Sequence, residues 1–207
     1  MRIGIAGGIG SGKSYVCALI RQRGFEVYDC DSAAKRLIRT DPDIRQQLTA
    51  LIGPDTYSAD GQLNKAVVAR FLLLSEDNTD AINRIVHPAV FRDFEASGLE
   101  WLESAIMYES GISRLMDRVI VVTAPLEVRI RRVMQRDHIS RSQVLAWMSK
   151  QLPQEEVVTL ADYELVNDGQ ADIEQQLNNI IEQCNKPLEQ LPVSPAFTNS
   201  SAAATTI

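Results

Sequence analysis

The sequence predicts an α/β fold built on a parallel sheet, and three observations predict it. Residues 1–6 (MRIGIA) read as a short buried strand, Gly7-Gly8-Ile9-Gly10-Ser11-Gly12-Lys13-Ser14 follows, and residues 15–23 (YVCALIRQR) carry a helical pattern. Residues 25–29 (FEVYD) read as a second strand directly after Gly24, so strand, helix and strand open a parallel crossover. Residues 118–123 (RVIVVT) are continuously apolar and rich in β-branched side chains, as a strand covered on both faces should be.

The glycine run fits G-x-x-x-x-G-K-[ST], the phosphate-binding loop, in the strand–loop–helix setting that gives the pattern its meaning. Glycines at 8, 10 and 12 let backbone N–H groups turn inward around an anion, Ser11 among them, and the helix that opens there adds the positive end of its dipole. Lys13 would reach the outer phosphates of a nucleotide, and the Ser14 hydroxyl would ligate Mg2+. The fold expected is therefore a P-loop NTPase, a three-layer α/β/α arrangement whose parallel sheet has about five strands.

The second strand ends at Asp29, with Asp31 two residues on. Asp31 reads either as a helix N-cap or as a carboxylate near the terminal phosphate, acting on an attacking hydroxyl or on Mg2+. Residues 32–102 read as mainly helical. Helices are expected over 33–38, around Ile44, Leu48, Leu51 and Ile52, and around Val67, Val68, Phe71, Leu72 and Leu74. A further helix over 77–86 is expected to stop at His87-Pro88, with His87 held extended by the proline, before a long helix to about residue 102. His87 reads either as a structural histidine or as a substrate contact.

Residues 103–108 (ESAIMY) read as the third strand and 118–123 as the fourth. Ala124-Pro125 then starts a helix on which Arg129, Arg132 and Arg136 share one face, with Arg131 off it. That stripe is either a solvated basic face or an anion-clamping lid. Short helices follow at 142–150 and 155–161, a last strand at 162–166 and a closing helix at 173–184. The Pro-, Ser-, Ala- and Thr-rich end of the chain reads as a disordered tail over 186–207. The expected division is a nucleotide-binding core (1–31, 103–125 and 159–185), a helical substrate domain (32–102) and a helical lid (126–158).

Composition excludes several classes. With 21 Lys plus Arg against 27 Asp plus Glu, a formal charge of −6 argues against nucleic-acid or acidic-membrane binding, so the partner expected is small. Cys17, Cys30 and Cys184 form neither a disulfide framework nor a zinc pattern and suit a reducing cytoplasm. No apolar run is long enough to span a membrane, and no signal-peptide pattern precedes the loop.

The loop alone implies nucleotide binding and leaves two classes, a small-molecule kinase and a nucleotide switch. Asn64-Lys65-Ala66-Val67 fails the N-K-x-D base-reading pattern of a guanine switch at its fourth position. The arginine-rich late helix and the helical insertion favour a kinase, in which a lid excludes water from the phosphates.

From Arg2 to about Gly169 the sequence resembles the dephospho-CoA kinase family. The resemblance rests on Gly7 to Ser14 (GGIGSGKS), on Val27-Tyr28-Asp29-Cys30-Asp31 and on His87-Pro88. It rests also on Arg132 with Met134-Gln135-Arg136-Asp137, on Gln151-Leu152-Pro153, on Ala161-Asp162-Tyr163 and on Asn167-Asp168-Gly169. It implies ATP-dependent phosphorylation of the ribose 3′-hydroxyl of dephospho-CoA, the last step of coenzyme A synthesis, with ATP and Mg2+ as the small partners. Another P-loop metabolite kinase, or a paralogue that binds ATP without turnover, is the alternative. By resemblance, Asp31 orients or deprotonates the acceptor hydroxyl, and Lys13 and Arg136 neutralise the transferring phosphoryl. Gly8, Gly10, Ser11, Gly12, Lys13, Ser14, Tyr15 and Asn167 bind ATP, Ser14 holds Mg2+, and Asp31, His87 and Arg132 serve the acceptor. A monomer or weak homo-oligomer is expected. The chain departs from the family pattern at Tyr15, Ala105, Trp147, Val157 and Val166, which bears on acceptor and adenine contacts and leaves the phosphate machinery intact.

Overall fold

The computed structural model describes residues 1–75 and 77–184. In chain order the elements are β1 (Ile3–Ala6), α1 (Lys13–Gln22), β2 (Val27–Asp29), α2 (Cys30–Thr40), α3 (Pro42–Ile52), α4 (Lys65–Leu74), α5 (Asp77–Ser97) and β3 (Trp101–Glu103). There follow β4 (Arg118–Thr123), α6 (Leu126–Asp137), α7 (Arg141–Met148), α8 (Gln154–Leu160), β5 (Tyr163–Val166) and α9 (Ile173–Cys184). Strand order is β2-β3-β1-β4-β5, the five-stranded α/β fold that the sequence predicts, and the strand pairs within each unit run parallel. The disordered tail expected over 186–207 lies outside the described residues.

The chain divides into two compact units. The first holds residues 1–25 and 105–184. At its centre β4 pairs with β1 from Ile3↔Arg118 to Ala6↔Val121, and with β5 from Ile120↔Tyr163 to Thr123↔Val166. Ile120, Val121 and Val122 are all fully buried. Successive strand side chains point to opposite faces, so this sheet is covered on both. Val16, Cys17, Leu19 and Ile20 of α1 and Leu177, Ile180 and Cys184 of α9 supply much of the packing. Ile130 and Val133 of α6 pack with Val144 of α7 in a smaller cluster. Trp147 on α7 is 43% exposed.

The second unit, residues 26–104, holds β2 and β3 in parallel from Val27↔Trp101 to Asp29↔Glu103, with α2, α3, α4 and α5. Tyr28 packs edge-on against Phe94 and donates from its hydroxyl to Asp93 at 2.6 Å, while Arg36 pairs with the same carboxylate. Trp101 and Leu102 are buried in β3.

Three local expectations are corrected. The second strand begins at Val27 rather than 25, because Phe25 is exposed, and it ends at Asp29, where α2 begins. The helix expected to break at His87-Pro88 runs unbroken from Asp77 to Ser97, with His87 helical. An interior proline costs a helix about 3 kcal/mol. Val86, Ala89, Val90, Phe91 and Phe94 are buried on both sides of Pro88, and each large apolar side chain contributes about 1.5–3 kcal/mol, so burial wins. The third strand lies at 101–103, not 103–108, and residues 105–110 turn. Gly98, at φ +69, ends α5 in the left-handed region before residue 102 is reached, and this frees the buried pair Trp101-Leu102 to extend.

Candidate active site

The phosphate loop follows directly from the fold of the first unit. β1 is buried throughout and delivers the chain at Ala6, and α1 starts at Lys13 with Gly12 as its N-cap. The cap glycine offers no side-chain acceptor, and the first turn of α1 carries no acidic residue. The positive end of the helix therefore faces the loop without a local countercharge. A turn between Gly8 and Ser11 (N to O, 3.2 Å) folds the loop back over that end.

Glycine is required here because other residues press against the backbone. A Cβ on Gly10, at φ +79, would lie 2.6 Å from the backbone oxygen of Arg129, and one on Gly12 would fall 2.0 Å from Asn167 Nδ2. These approaches bring α6 and the end of β5 against the loop. Arg129, only 8% exposed, donates from Nε to Ile9 O at 3.0 Å. Arg132 donates from Nη1 to Gly10 O (3.4 Å) and Ser11 O (3.3 Å), and from Nη2 to Asn167 Oδ1 (3.1 Å). Asn167 is buried, donates from Nδ2 to Ser11 O at 2.9 Å, and is anchored by its own N–H on Thr123 O at 2.7 Å. Both polar atoms of its side chain thus engage the loop and Arg132.

Lys13 is buried, and its ammonium donates to Gly7 O at 2.7 Å. Two guanidinium groups and one ammonium therefore converge on one loop. Burial lowers the pKa of Arg129, a desolvation cost that an anion would relieve. Ser11 is fully buried, and its Oγ has no hydrogen-bond partner among the described residues. A buried hydroxyl without a partner costs roughly 1–3 kcal/mol. Ser14 and Tyr15 are exposed in the first turn of α1.

The stripe read from the sequence divides. Arg129 and Arg132 brace the loop, while Arg136 is exposed and holds Asp137 in a bidentate pair at 2.8 and 2.7 Å. That bond raises the pKa of Arg136 and lowers that of Asp137. The missed residues are Gln151, whose Oε1 accepts from Ile9 N at 2.9 Å, and Gln154, which accepts from Ala124 N (3.1 Å) and Arg129 (3.5 Å). Gln151 stands in the Gln-Leu-Pro segment that carries part of the resemblance, but nothing local in the sequence marks its partner 142 residues away.

Asp31 and His87 belong to the second unit. Asp29, not Asp31, is the N-cap of α2, accepting from Ser32 N at 3.0 Å and from Ser32 Oγ at 2.8 Å. Asp31 is left exposed in the first helical turn. Burial, with Asp31 and Asp29 nearby, pushes the Cys30 thiol up to about 12, which disfavours the thiolate. His87 is half-buried and stacks on Phe91 at 6.3 Å between ring centroids, and burial lowers its pKa.

A parallel α/β sheet with a glycine loop, a buried lysine and arginines closing on that loop defines a P-loop nucleotide-binding protein of the kinase kind. The sequence model of the dephospho-CoA kinase family matches residues 1–172, and the chain belongs to that family. A dephospho-CoA kinase of Bacteroides fragilis (strain YCH46) is 37% identical over 188 residues, covering 87% of this chain and 91% of that one. The crystal structure of TT1252 from Thermus thermophilus superposes with a TM-score of 0.78 at 34% identity, over 90% of this chain and 98% of that one. A dephospho-CoA kinase from Campylobacter jejuni, 18% identical, shares the fold with a TM-score of 0.62, over 88% and 96% of the two chains.

Proposed function

We propose that this protein transfers the γ-phosphoryl group of ATP to the ribose 3′-hydroxyl of dephospho-CoA, giving CoA and ADP. The observation that carries the reading is the cationic loop, with buried Lys13 and Arg129 and part-buried Arg132, in a chain of this family. Phosphoryl transfer demands positioning and charge neutralisation more than covalent chemistry. The loop N–H groups and Lys13 hold the β- and γ-phosphates, and the ammonium exchanges Gly7 O for a phosphate oxygen. Asp31, exposed and spared from capping by Asp29, orients the acceptor hydroxyl. A carboxylate is a far weaker base than a sugar alkoxide, so alignment is its larger contribution.

Arg136 leaves Asp137 to neutralise the transferring group as the 126–158 segment closes as a lid. An exposed ion pair is weakly held, and a phosphoryl anion competes well for the guanidinium. His87 serves the acceptor side as a neutral, donor-capable ring, and Asn167 lies toward the nucleotide through the loop it braces. Ser14 fits Mg2+, since its exposed hydroxyl adjoins the phosphate loop and that ion takes few protein ligands beside phosphates and water. Ser14 would hold Mg2+, which would supply neutralisation of phosphate charge. Among the described residues no helix is long and apolar enough to cross a membrane, and the three cysteines, all buried, form no disulfide, which suits a reducing compartment.

The test is ADP formation by the purified protein with dephospho-CoA, nucleoside monophosphates and shikimate as separate acceptors. Turnover dependent on dephospho-CoA is expected. Hydrolysis indifferent to acceptor would replace the kinase reading with an ATPase or switch.

A further inference from the structure

Gly8 to Gly10, the outer turn of the phosphate loop, is held from outside at two consecutive peptide groups. The N–H of Ile9 donates to Gln151 Oε1 at 2.9 Å, and the carbonyl of Ile9 accepts from Arg129 Nε at 3.0 Å. Gln151 uses its other end as well, since Nε2 donates to Ala105 O at 3.1 Å in the turn after β3. The next residue, Leu152, donates its N–H to Glu109 Oε1 at 2.9 Å, and Gln154 ties Arg129 to Ala124 N. Leu152 precedes a proline and so favours extended backbone, which stiffens the step between the two glutamines.

We infer that Gln151 is a positioning residue for phosphoryl transfer, fixing the Gly8–Ile9 peptide so that the following loop N–H groups point at the phosphates. The reasoning is geometric. A peptide unit is planar, so fixing the Ile9 N–H and carbonyl leaves little freedom in the two peptides that lead into Gly10. Gly10 already lies against the Arg129 backbone, and the N–H groups beyond it inherit their direction from this anchor. The carboxamide suits the task because one side chain accepts from the loop and donates to the Ala105 turn. Gln151 touches no reacting atom, and it acts through Ile9.

The inference rests on the kinase reading for its turnover arm and is independent of it for its structural arm. The full chain is compared with Gln151→Met, which keeps the side-chain length and removes both bonds, and Gln151→Glu, which keeps the acceptor and loses the donor. Amide hydrogen exchange at Ile9 is read by NMR on nucleotide-free protein, and kcat and KM for ATP are read with dephospho-CoA. For Gln151→Met, Ile9 exchange should speed by about tenfold or more, and kcat should fall about 10- to 100-fold. Thermal stability should change little. Gln151→Glu should restore Ile9 protection and most of kcat while raising KM for ATP, because its charge opposes the phosphates. Unchanged Ile9 exchange in Gln151→Met overturns the inference, as does unprotected Ile9 in Gln151→Glu. A rise in kcat or tighter ATP binding in Gln151→Met also overturns it, since the carboxamide would then be blocking an N–H that phosphate needs. If the wild-type chain turns over no acceptor, the kinase reading fails and Ile9 exchange alone decides the bond.

Discussion

Gly10→Ala separates a backbone that is merely left-handed from one that is also crowded. The new methyl group would sit 2.6 Å from Arg129 O and 3.0 Å from its carbonyl carbon and Cα, all backbone atoms of a helix that cannot rotate away. Ordinary contact begins near 3.4 Å, so the loop must withdraw by about 0.8 Å or absorb overpacking of about 1–3 kcal/mol on top of about 1 kcal/mol for the left-handed angle. The loop is partly exposed and α6 is packed, so the loop is the part that moves. A displacement near 1 Å in positioning atoms costs about 100-fold in rate. Gly98→Ala is the control, because it shares a positive φ of +69 and meets nothing within 4 Å. Both variants should lose about 2–4 °C of melting temperature, the scale of about 1 kcal/mol in a chain of this size. Only Gly10→Ala should lose about 100-fold in kcat, measured by coupled ADP release. Gly10→Ala within threefold of wild-type kcat, at a melting temperature equal to that of Gly98→Ala, would refute the close-approach argument.

Other perturbations test the remaining roles. Lys13→Ala and Asp31→Asn should each remove most turnover, by about 100-fold or more, with melting curves near wild type, and near-normal kcat in Asp31→Asn would sink the alignment role. Arg136→Ala should lower kcat by about 100-fold with KM for ATP within about threefold, whereas equal losses in both would point to ground-state binding. The lowered pKa of His87 makes the folded state bind fewer protons than the unfolded state below about pH 6.5, so stability falls as pH drops through that window. His87→Gln should flatten that part of the urea-midpoint profile between pH 7.5 and 5.5, and an unaltered slope would show that the ring is not the source.

The parts of the site that were legible in the sequence are those written locally. Strand, glycine loop and helix are contiguous, so residues 3–22 announced both the fold and the anion cradle. The spacing of Arg129, Arg132 and Arg136 correctly put them on one helix, but spacing says nothing about partners, and only the first two reach the loop. The sequence offers Asp31 as a cap, whereas the cap is Asp29, because the strand stops there and the helix starts at Cys30. The brace formed by Asn167 and Gln151 joins positions more than 140 residues apart, and no periodicity in one sequence encodes such pairs. Pro88 misled because its local cost is plain in the sequence, while the burial that outweighs it depends on the folded unit.

The two tryptophans give the molecule a built-in optical label in each of its units. Trp101 is 4% exposed in β3, and Trp147 is 43% exposed on α7. The first indole should emit at shorter wavelength and resist quenching by iodide, and the second should emit at longer wavelength and quench readily. Substituting either one with phenylalanine leaves a single emitter, so the melting of the second unit and changes in the surroundings of α7 can be followed separately by light alone.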